Sequence, residues 1–501
     1  MNLTDILTHH VEHHPERLAV SYGDARHTYA QLLRRVQATA GGLRAAGVER
    51  GDRVGVLLHN SDRFLEVMFG CAHLGAVFMP LNWRLAPDEL DYILGHAGAA
   101  ALVSEAELAE AATAPRRLAV GATPTGWESL DALQAAADPV LEAEPIERDD
   151  LLRLMYTSGT TSRPKGVMIT LDNFLWKCAA HTVDLAITRE DRGLVCGPLY
   201  HVGALDMTAT NMLYVGGSIH VLRRFDATAV LDAIESERPT NIWMAPAMVN
   251  LVLAEPTLGR RDTSSVRMIL DGGEKMPLPL IKRVLAAFPN GWFADAYGLT
   301  ETVSLDTYLD KGKTVEKLGS VGRPVSFTEI RIEGADGDPL PAGEVGEICV
   351  RGPKVFKGYW QDPDNTAKAL RHGWLHTGDL GYLDEDGYLF VVDRLKDMII
   401  SGGENIASLE VERVVQEHPS VVEAAVVGSP HPRWGEVPVA YVVVDDAATE
   451  EELIAHCAER LAKFKVPAAI RLVDVLPRNP SGKILKRDLR ELEHGPATEP
   501  A

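Results

Sequence analysis

At 501 residues, with 46% hydrophobic and 24% charged side chains, the chain has an ordinary globular composition and enough core for roughly three domains or subdomains. Fifty Lys and Arg against seventy-one Asp and Glu leave a net charge of −21, which argues against general binding to nucleic acid or to an anionic membrane. The five cysteines (Cys71, Cys178, Cys196, Cys349, Cys457) form no CxxC pair and no Cys/His cluster, which excludes a disulfide scaffold and a zinc ribbon and fits a reducing compartment.

From the N-terminus, MNLTDILTHHVEHHPE carries early acids and no apolar centre, so no secretory signal is expected. His9, His10, His13 and His14 share helical spacing and read as a solvated helix face, and the apolar positions from Leu32 to Leu43 read as a core face. Val54–Leu58 predicts a strand and Asp62–Leu74 a helix; Ser218–Leu222 and Thr228–Glu237 repeat that order. Strand–helix alternation of this kind predicts parallel α/β layers. The longest apolar run, Val67–Leu81, is shorter than the roughly 18 residues of a membrane span, so no stable membrane insertion and a cytoplasmic location are expected. The Ala- and acid-rich stretch 105–150 reads as loosely specified helices and surface loops.

Between 340 and 395 turn signals (Asp336-Gly337, Pro341-Ala-Gly343, Asp386-Gly387) separate short strands, Glu347–Arg351 and Tyr388–Val392, and predict an antiparallel β subdomain. Beyond Asp393-Arg394-Leu395-Lys396 come a helix (Leu409–His418), a strand pair (Ala424–Val427, Ala440–Val444) and a helix (Glu450–Lys463), an α+β module of about 100 residues. The expected division is therefore a large domain, 1–395, of layered α/β subdomains plus a small β subdomain, and an α+β domain, 396–501. Residues 460–490 hold nine basic residues and two acids, either a solvated helix face or a patch that meets a polyanionic ligand.

The segment richest in chemistry is Tyr156-Thr-Ser-Gly-Thr-Thr-Ser-Arg-Pro-Lys-Gly-Val167, which leaves an apolar strand. Small hydroxyl residues around a Gly let backbone N–H groups and hydroxyls wrap phosphate oxygens, and Lys165 adds a point charge. It is not a P-loop, which needs a Gly before the Lys and a hydroxyl after it, where this chain has Pro164 and Gly166. A P-loop ATPase or kinase is not expected on that ground.

This segment resembles the phosphate-loop signature of the adenylate-forming superfamily of acyl-CoA synthetases, nonribosomal adenylation domains and firefly luciferase, departing from it at Ser162, where the family usually has Gly. The resemblance continues in order through Cys196-Gly-Pro-Leu-Tyr-His-Val-Gly203, Asp271-Gly-Gly-Glu274, Ala294-Asp-Ala-Tyr-Gly-Leu-Thr-Glu-Thr302, Thr377-Gly-Asp379, Asp393-Arg394, Gly402-Gly-Glu404 and Asn479-Pro-Ser-Gly-Lys483. It implies that Thr157, Ser158, Gly159, Thr160, Thr161 and Lys165 hold phosphates; that Gly272, Gly273, Glu274, Asp295, Ala296, Tyr297 and Gly298 hold adenine, with Tyr297 stacking; and that Asp379 and Arg394 take the ribose. Thr300 would reach phosphate, and Glu301 with Thr157 would hold Mg2+, a cation suited to oxygen ligands. His201 would stand at the acid pocket with Val202, Gly203, Leu205, Met207, Met244, Ala247, Leu299 and Val303, leaving Asp206 to face solvent or to recognise a polar group.

The resemblance makes Lys483 the catalytic lysine. Bringing a carboxylate against ATP costs about 1 kcal/mol per like-charged pair at about 4 Å in water and about 4 at an effective dielectric of 20, so the site needs cations. No general base is required, because a carboxylic acid of pKa near 4 is already ionised. The C-terminal domain would be mobile, first presenting Lys483 and then turning about a hinge at Lys396 to present Gly402, Gly403 and Glu404 to coenzyme A, with Trp434 (beside Arg433), Lys463 and Lys465 gripping its nucleotide. CoA is the expected acceptor: no carrier or reductase domain follows Ala501, no long insertion marks the domain junction, and the C-terminal module is rich in cations.

Aryl-acid relatives commonly carry an aromatic residue where this chain has Gly203, so the expected substrate is a medium- or long-chain aliphatic or alicyclic acid. The alternatives left open are a ligase that loads a carrier protein, an aryl-acid (coumarate- or benzoate-type) CoA ligase, a luciferase-like oxidase, and a non-catalytic adenylate-binding regulator, which would be expected to have lost Lys483 or Glu301. The expected partners are the acid, ATP and CoA, with a homodimer left open.

Overall fold

The structure is a computed structural model that describes residues 2–157, 163–272, 276, 278–402, 404–445, 448–478 and 483–494. The chain divides into two compact units, Met1–Ile330 with Val350–Leu375, and Arg331–Cys349 with His376–Ala501. The expected boundary at 395/396 falls inside the second unit.

The first unit is a layered α/β body, as the alternation predicts. Among the described residues its nine-stranded sheet runs, in spatial order, Arg323–Pro324, Thr307–Tyr308, Trp292–Tyr297, Met268–Gly272, Asn241–Trp243, Arg192–Val195, Ser218–Val221, Leu18–Tyr22 and Ala25–Thr28. The six strands from Trp292–Tyr297 to Leu18–Tyr22 pair in parallel. A second, eight-stranded sheet holds Arg53–Leu57 between the parallel strands Val77–Pro80 and Ala99–Glu105. Strand Val77–Pro80 is buried at every position, as parallel strands covered on both faces must be.

Local signals set the helices. Thr28 and Gln31 form a capping box that starts Tyr29–Ala45, and its apolar face (Leu32, Leu33, Val36, Ala40, Leu43) enters the core. Ser61 caps Asp62–His73, one residue from the expected end. The stretch 105–150 departs from expectation: Arg117–Val120 and Glu128–Ser129 extend the eight-stranded sheet in parallel, and Leu130–Ala136 is helical. Strands of four and two residues are too short to leave a readable period. His10 departs too: it is buried, with Nε2 3.0 Å from the Tyr214 carbonyl, while His9, His13 and His14 are exposed.

In the second unit the strands Val421–His431 and Gly435–Val444 pair antiparallel, Ala424 opposite Val442, and Ala469–Leu472 joins in parallel. Helices Ser408–Gln416 and Glu450–Ala458 close one face through Val411, Val414, Val415, Leu453 and Cys457. Leu489, on Lys486–His494, closes the other against Val427 and Tyr441. No described helix is long and apolar enough to cross a membrane.

Candidate functional site

In the first unit the carboxyl ends of adjacent parallel strands, where open α/β sheets bind their ligands, carry the motif residues. Asp271 pairs with Asp295 and Gly272 with Ala296, so Tyr297 and Gly272 leave neighbouring strands side by side. The next strand ends at Trp243, and the one after at Val195, just before Cys196–Gly203. Along that edge lie, in order, Tyr297 (half-buried), Gly272, Trp243 and the segment bearing His201.

The phosphate-type segment is a hairpin. Strand Leu151–Thr157 pairs antiparallel with Lys165–Thr170, Thr157 opposite Lys165, whereas a P-loop opens into a helix. Ser158, Gly159, Thr160, Thr161 and Ser162 lie outside the described residues, as do Gly273, Glu274, Gly403 and residues 479–482. Gly358–Tyr359 adds to the outer edge of Lys165–Thr170 and carries a residue the motif reading missed. The Tyr359 hydroxyl donates to Glu301 Oε1 at 2.9 Å, and Lys165 Nζ stands 5.0 Å from the centre of the Tyr359 ring. Burial first, then the Glu301 carboxylate, raises the Tyr359 phenol pKa, so it stays protonated as a donor. The Phe356 N–H donates to the Glu301 carbonyl at 2.7 Å. Lys165 and Glu301, 136 positions apart in sequence, thus meet through one tyrosine.

Thr300–Thr302 forms a single turn, after which Val303, Ser304 and Leu305 take left-handed φ angles of 54°, 70° and 33°. Three such non-glycine residues in a row are costly and need external support. Lys354, buried, supplies it: Nζ donates to the carbonyls of Thr302 (3.0 Å) and Ser304 (2.9 Å) and pairs with Asp306.

His201 is half-buried; its Nδ1 accepts the Gly203 N–H at 3.1 Å, which leaves Nε2 as the protonated nitrogen. Gly203–Ala209 winds as a π-helix, a geometry frequent at functional sites. Asn60 pins the turn before it, donating to the Gly197 carbonyl (2.7 Å) and accepting the Leu199 N–H (2.8 Å). The Trp243 indole, buried, stacks on His201 at 6.0 Å and 25°. Leu205, Met244 and Val303 have no exposed surface; Val202 and Met207 are also buried, Leu299 is half-buried and Ala247 exposed.

Asp206 neither faces solvent nor waits for a ligand. Arg153, on the strand leading to the phosphate-type hairpin, holds its carboxylate at 2.7 and 3.2 Å, and Lys177 lies 3.5 Å away, all three buried. This ion cluster ties the hairpin to the π-helix.

In the second unit Asp379, buried, and Arg394 lie opposite each other on antiparallel strands, Nε to Oδ1 3.3 Å. The turn before Asp379 is held by Glu347, which accepts the Gly378 N–H at 3.1 Å and lies 2.9 Å from His376 Nδ1. Asp393 accepts the N–H and hydroxyl of Ser408 at 2.5 and 2.7 Å, fixing the start of helix Ser408–Gln416. Lys396 is exposed; partial desolvation, with Arg394, Arg490 and Lys486 acting against Asp397, lowers its ammonium pKa.

Gly402 has φ +61° and lies directly beneath the indole of Trp434, where a Cβ would come within 2.8 Å of Cε3, and its N–H donates to the Trp434 carbonyl at 2.7 Å. Trp434 is 44% exposed and carries Arg433 at 4.6 Å from its ring. Glu404 and Lys463 are exposed, and Lys483 is half-buried. The basic stretch 460–490 is largely neutralised in place: Lys465 pairs with Glu410 at 2.7 Å, Arg478 with Glu423 at 2.6 Å and Lys486 with Glu412 at 2.7 Å.

All five cysteines are buried and free; burial pushes the Cys196 thiol, the one nearest His201 in sequence, up to about 12, which disqualifies it as a nucleophile at neutral pH.

Residues 7–360 match the family described as AMP-binding enzyme, and residues 410–483 match the AMP-binding enzyme C-terminal domain. The chain is 45% identical to a feruloyl-CoA synthase of Amycolatopsis sp. over 95% of this chain and 96% of that one. It is 38% identical to the indoleacetate–CoA ligase of Aromatoleum aromaticum, covering 98% of each. The o-succinylbenzoate CoA synthetase of Bacillus subtilis, solved with its acyl-adenylate intermediate, superposes with a TM-score of 0.88 at 36% identity and 97% coverage of both chains; the same enzyme has been solved with ATP and a magnesium ion.

Proposed function

The chain belongs to the family of AMP-binding, adenylate-forming enzymes and is an AMP-forming acid–thiol ligase, and on that premise we propose that the acid it joins to coenzyme A is aromatic or arylalkyl. The observation that carries this reading is the Trp243 indole stacked on His201 at the strand edge that also bears Tyr297. Gly203 alone suggests a pocket without an aromatic wall; the indole fills the space beside Gly203 and supplies one. The named substrates of the relatives, feruloyl, indoleacetate and 2-succinylbenzoate, agree with an aromatic acid better than with the aliphatic one expected from Gly203.

In the first step a carboxylate oxygen of the acid attacks the α-phosphorus of ATP; the bond to the β-phosphate oxygen breaks, and pyrophosphate leaves. Tyr297 stacks on adenine, Asp379 accepts from the ribose hydroxyls with Arg394 beside it, and Lys165 and Thr300 bind phosphate. Lys483 adds positive charge to offset the repulsion between the two anions. The oxygen donors of Glu301, oriented by Tyr359, and of Thr157 fit a hard divalent cation, and Mg2+ held there would neutralise phosphate charge. In the second step the CoA sulfur, pKa about 8.5 and intrinsically nucleophilic as its thiolate, attacks the acyl carbon; its proton goes to solvent and AMP leaves. Trp434 over Gly402 offers an exposed aromatic face for the CoA nucleotide.

ATP–pyrophosphate exchange with ferulate, indoleacetate, benzoate, octanoate and palmitate tests the reading. The expected result is exchange with one or more aromatic acids at least tenfold faster than with either aliphatic acid; faster exchange with octanoate or palmitate overturns it.

A further inference from the structure

Trp243 ends strand Asn241–Trp243, between the strand that ends at Gly272 and the one that leads into Cys196–Gly203. Its six-membered ring is held between two glycines of that segment. A Cβ built on Gly203 would lie 2.4 Å from Cζ2 and 2.5 Å from Cε2, and one on Gly197 would lie 2.6 Å from Cζ3 and 2.9 Å from Cε3. Real Cβ atoms do not approach so closely, so neither position accepts even alanine unless the indole moves. Neither glycine has a positive φ, so backbone conformation does not call for them. What calls for them is the ring. His201 stacks on that ring and lies two residues before Gly203 in the same segment.

From this fit we propose that Trp243, seated in a slot made by Gly197 and Gly203, is the specificity-determining residue of the acid pocket: it supplies from the neighbouring strand the flat wall against which an aromatic acid packs. The proposal rests on the aromatic-acid reading above and deepens it. Residues 203 and 243 share one volume, so an aromatic side chain fits at one of them and not at both. Aromatic pairing contributes beyond simple burial, and loss of the wall also opens a cavity.

The test measures kcat/KM for cinnamate and octanoate, with KM for ATP, in the wild type, Trp243→Leu, Gly203→Phe and the double variant Trp243→Ala/Gly203→Phe. Trp243→Leu is expected to lower the cinnamate-to-octanoate ratio about tenfold, with KM for ATP unchanged within about twofold. Gly203→Phe forces two rings into one volume and is expected to lose both activities. The double variant, with the ring moved across the slot, is expected to recover cinnamate activity at least about tenfold over Gly203→Phe, a coupling that independent sites do not show. Should Trp243→Leu not fold, Trp243→Phe keeps a ring at the same position and is expected to hold the ratio within about threefold of wild type.

An unchanged ratio in Trp243→Leu, a collapsed ratio in Trp243→Phe, or a double variant no better than Gly203→Phe overturns the role of Trp243 while leaving the aromatic-acid reading standing. A wild type that prefers octanoate overturns both.

Discussion

Tyr359 is the side chain through which Lys165 and Glu301 meet, and its bond to the Glu301 carboxylate is of the charged kind, worth about 1.5–3 kcal/mol. Tyr359→Phe is therefore expected to lower kcat/KM for magnesium–ATP by about 10- to 100-fold and to raise the Mg2+ concentration needed for half-maximal rate, with the acid KM unchanged. Pyrophosphate-release assays over a Mg2+ series read this directly, and an unshifted series contradicts it. Asp206 sets a second residue-scale expectation. Asp206→Ala leaves Arg153 and Lys177 buried without their counter-charge and is expected to cost about 3–5 kcal/mol in urea unfolding, while Arg153→Met/Asp206→Leu is expected to cost less. Neither residue was legible as structural in the sequence. Arg153 lies 53 positions from Asp206 and Tyr359 lies 58 from Glu301, and no local pattern links such pairs. Glu301, Tyr297 and Asp379 were legible because each sits in a short motif whose residue order is itself the signal.

At the scale of elements, helix Leu171–Asp184 begins at a Thr170/Asn173 capping box and carries Lys177 and His181 into the core. Burial first, then the positive charges of Lys177 and Lys354, hold the His181 pKa well below its usual value. The folded protein keeps His181 neutral, while the unfolded chain takes up a proton below about pH 6.5. Stability is thus present above that pH and falls as pH decreases toward the depressed folded value, by up to about 1.4 kcal/mol per pH unit from this group. His10, His59 and His73 are depressed by burial in the same sense. Urea midpoints are expected to fall between pH 7.5 and pH 5.5, and His181→Gln, which keeps an acceptor for the Asn211 amide, is expected to flatten that slope; an equal slope contradicts it. Strand Arg53–Leu57 and helix Asp62–His73 were readable from their apolar patterns. The π-helix Gly203–Ala209 was not, because widening a turn from within leaves no mark on the apolar period, and neither was the strand Arg117–Val120, four residues long.

For the molecule as a whole, the layered α/β architecture and the ligase chemistry followed from the order of weak motifs along the chain, each of which alone says little. The proposed substrate class did not follow from the sequence, since Gly203 reads as a missing wall and the Trp243 ring that packs against it lies forty positions later. The division into units was likewise obscured, because Arg331–Cys349 belongs with residues after His376. The central claim, that this enzyme adenylates an aromatic acid and passes it to CoA, is tested most directly by mass spectrometry of the products formed from ATP, Mg2+, CoA and an equimolar set of aromatic and C2–C18 aliphatic acids. The account predicts AMP, pyrophosphate and an aromatic acyl-CoA as the dominant thioester, reduced about 10²- to 10³-fold in Lys483→Ala. A dominant aliphatic thioester, or acyl-AMP with no thioester at all, would contradict it.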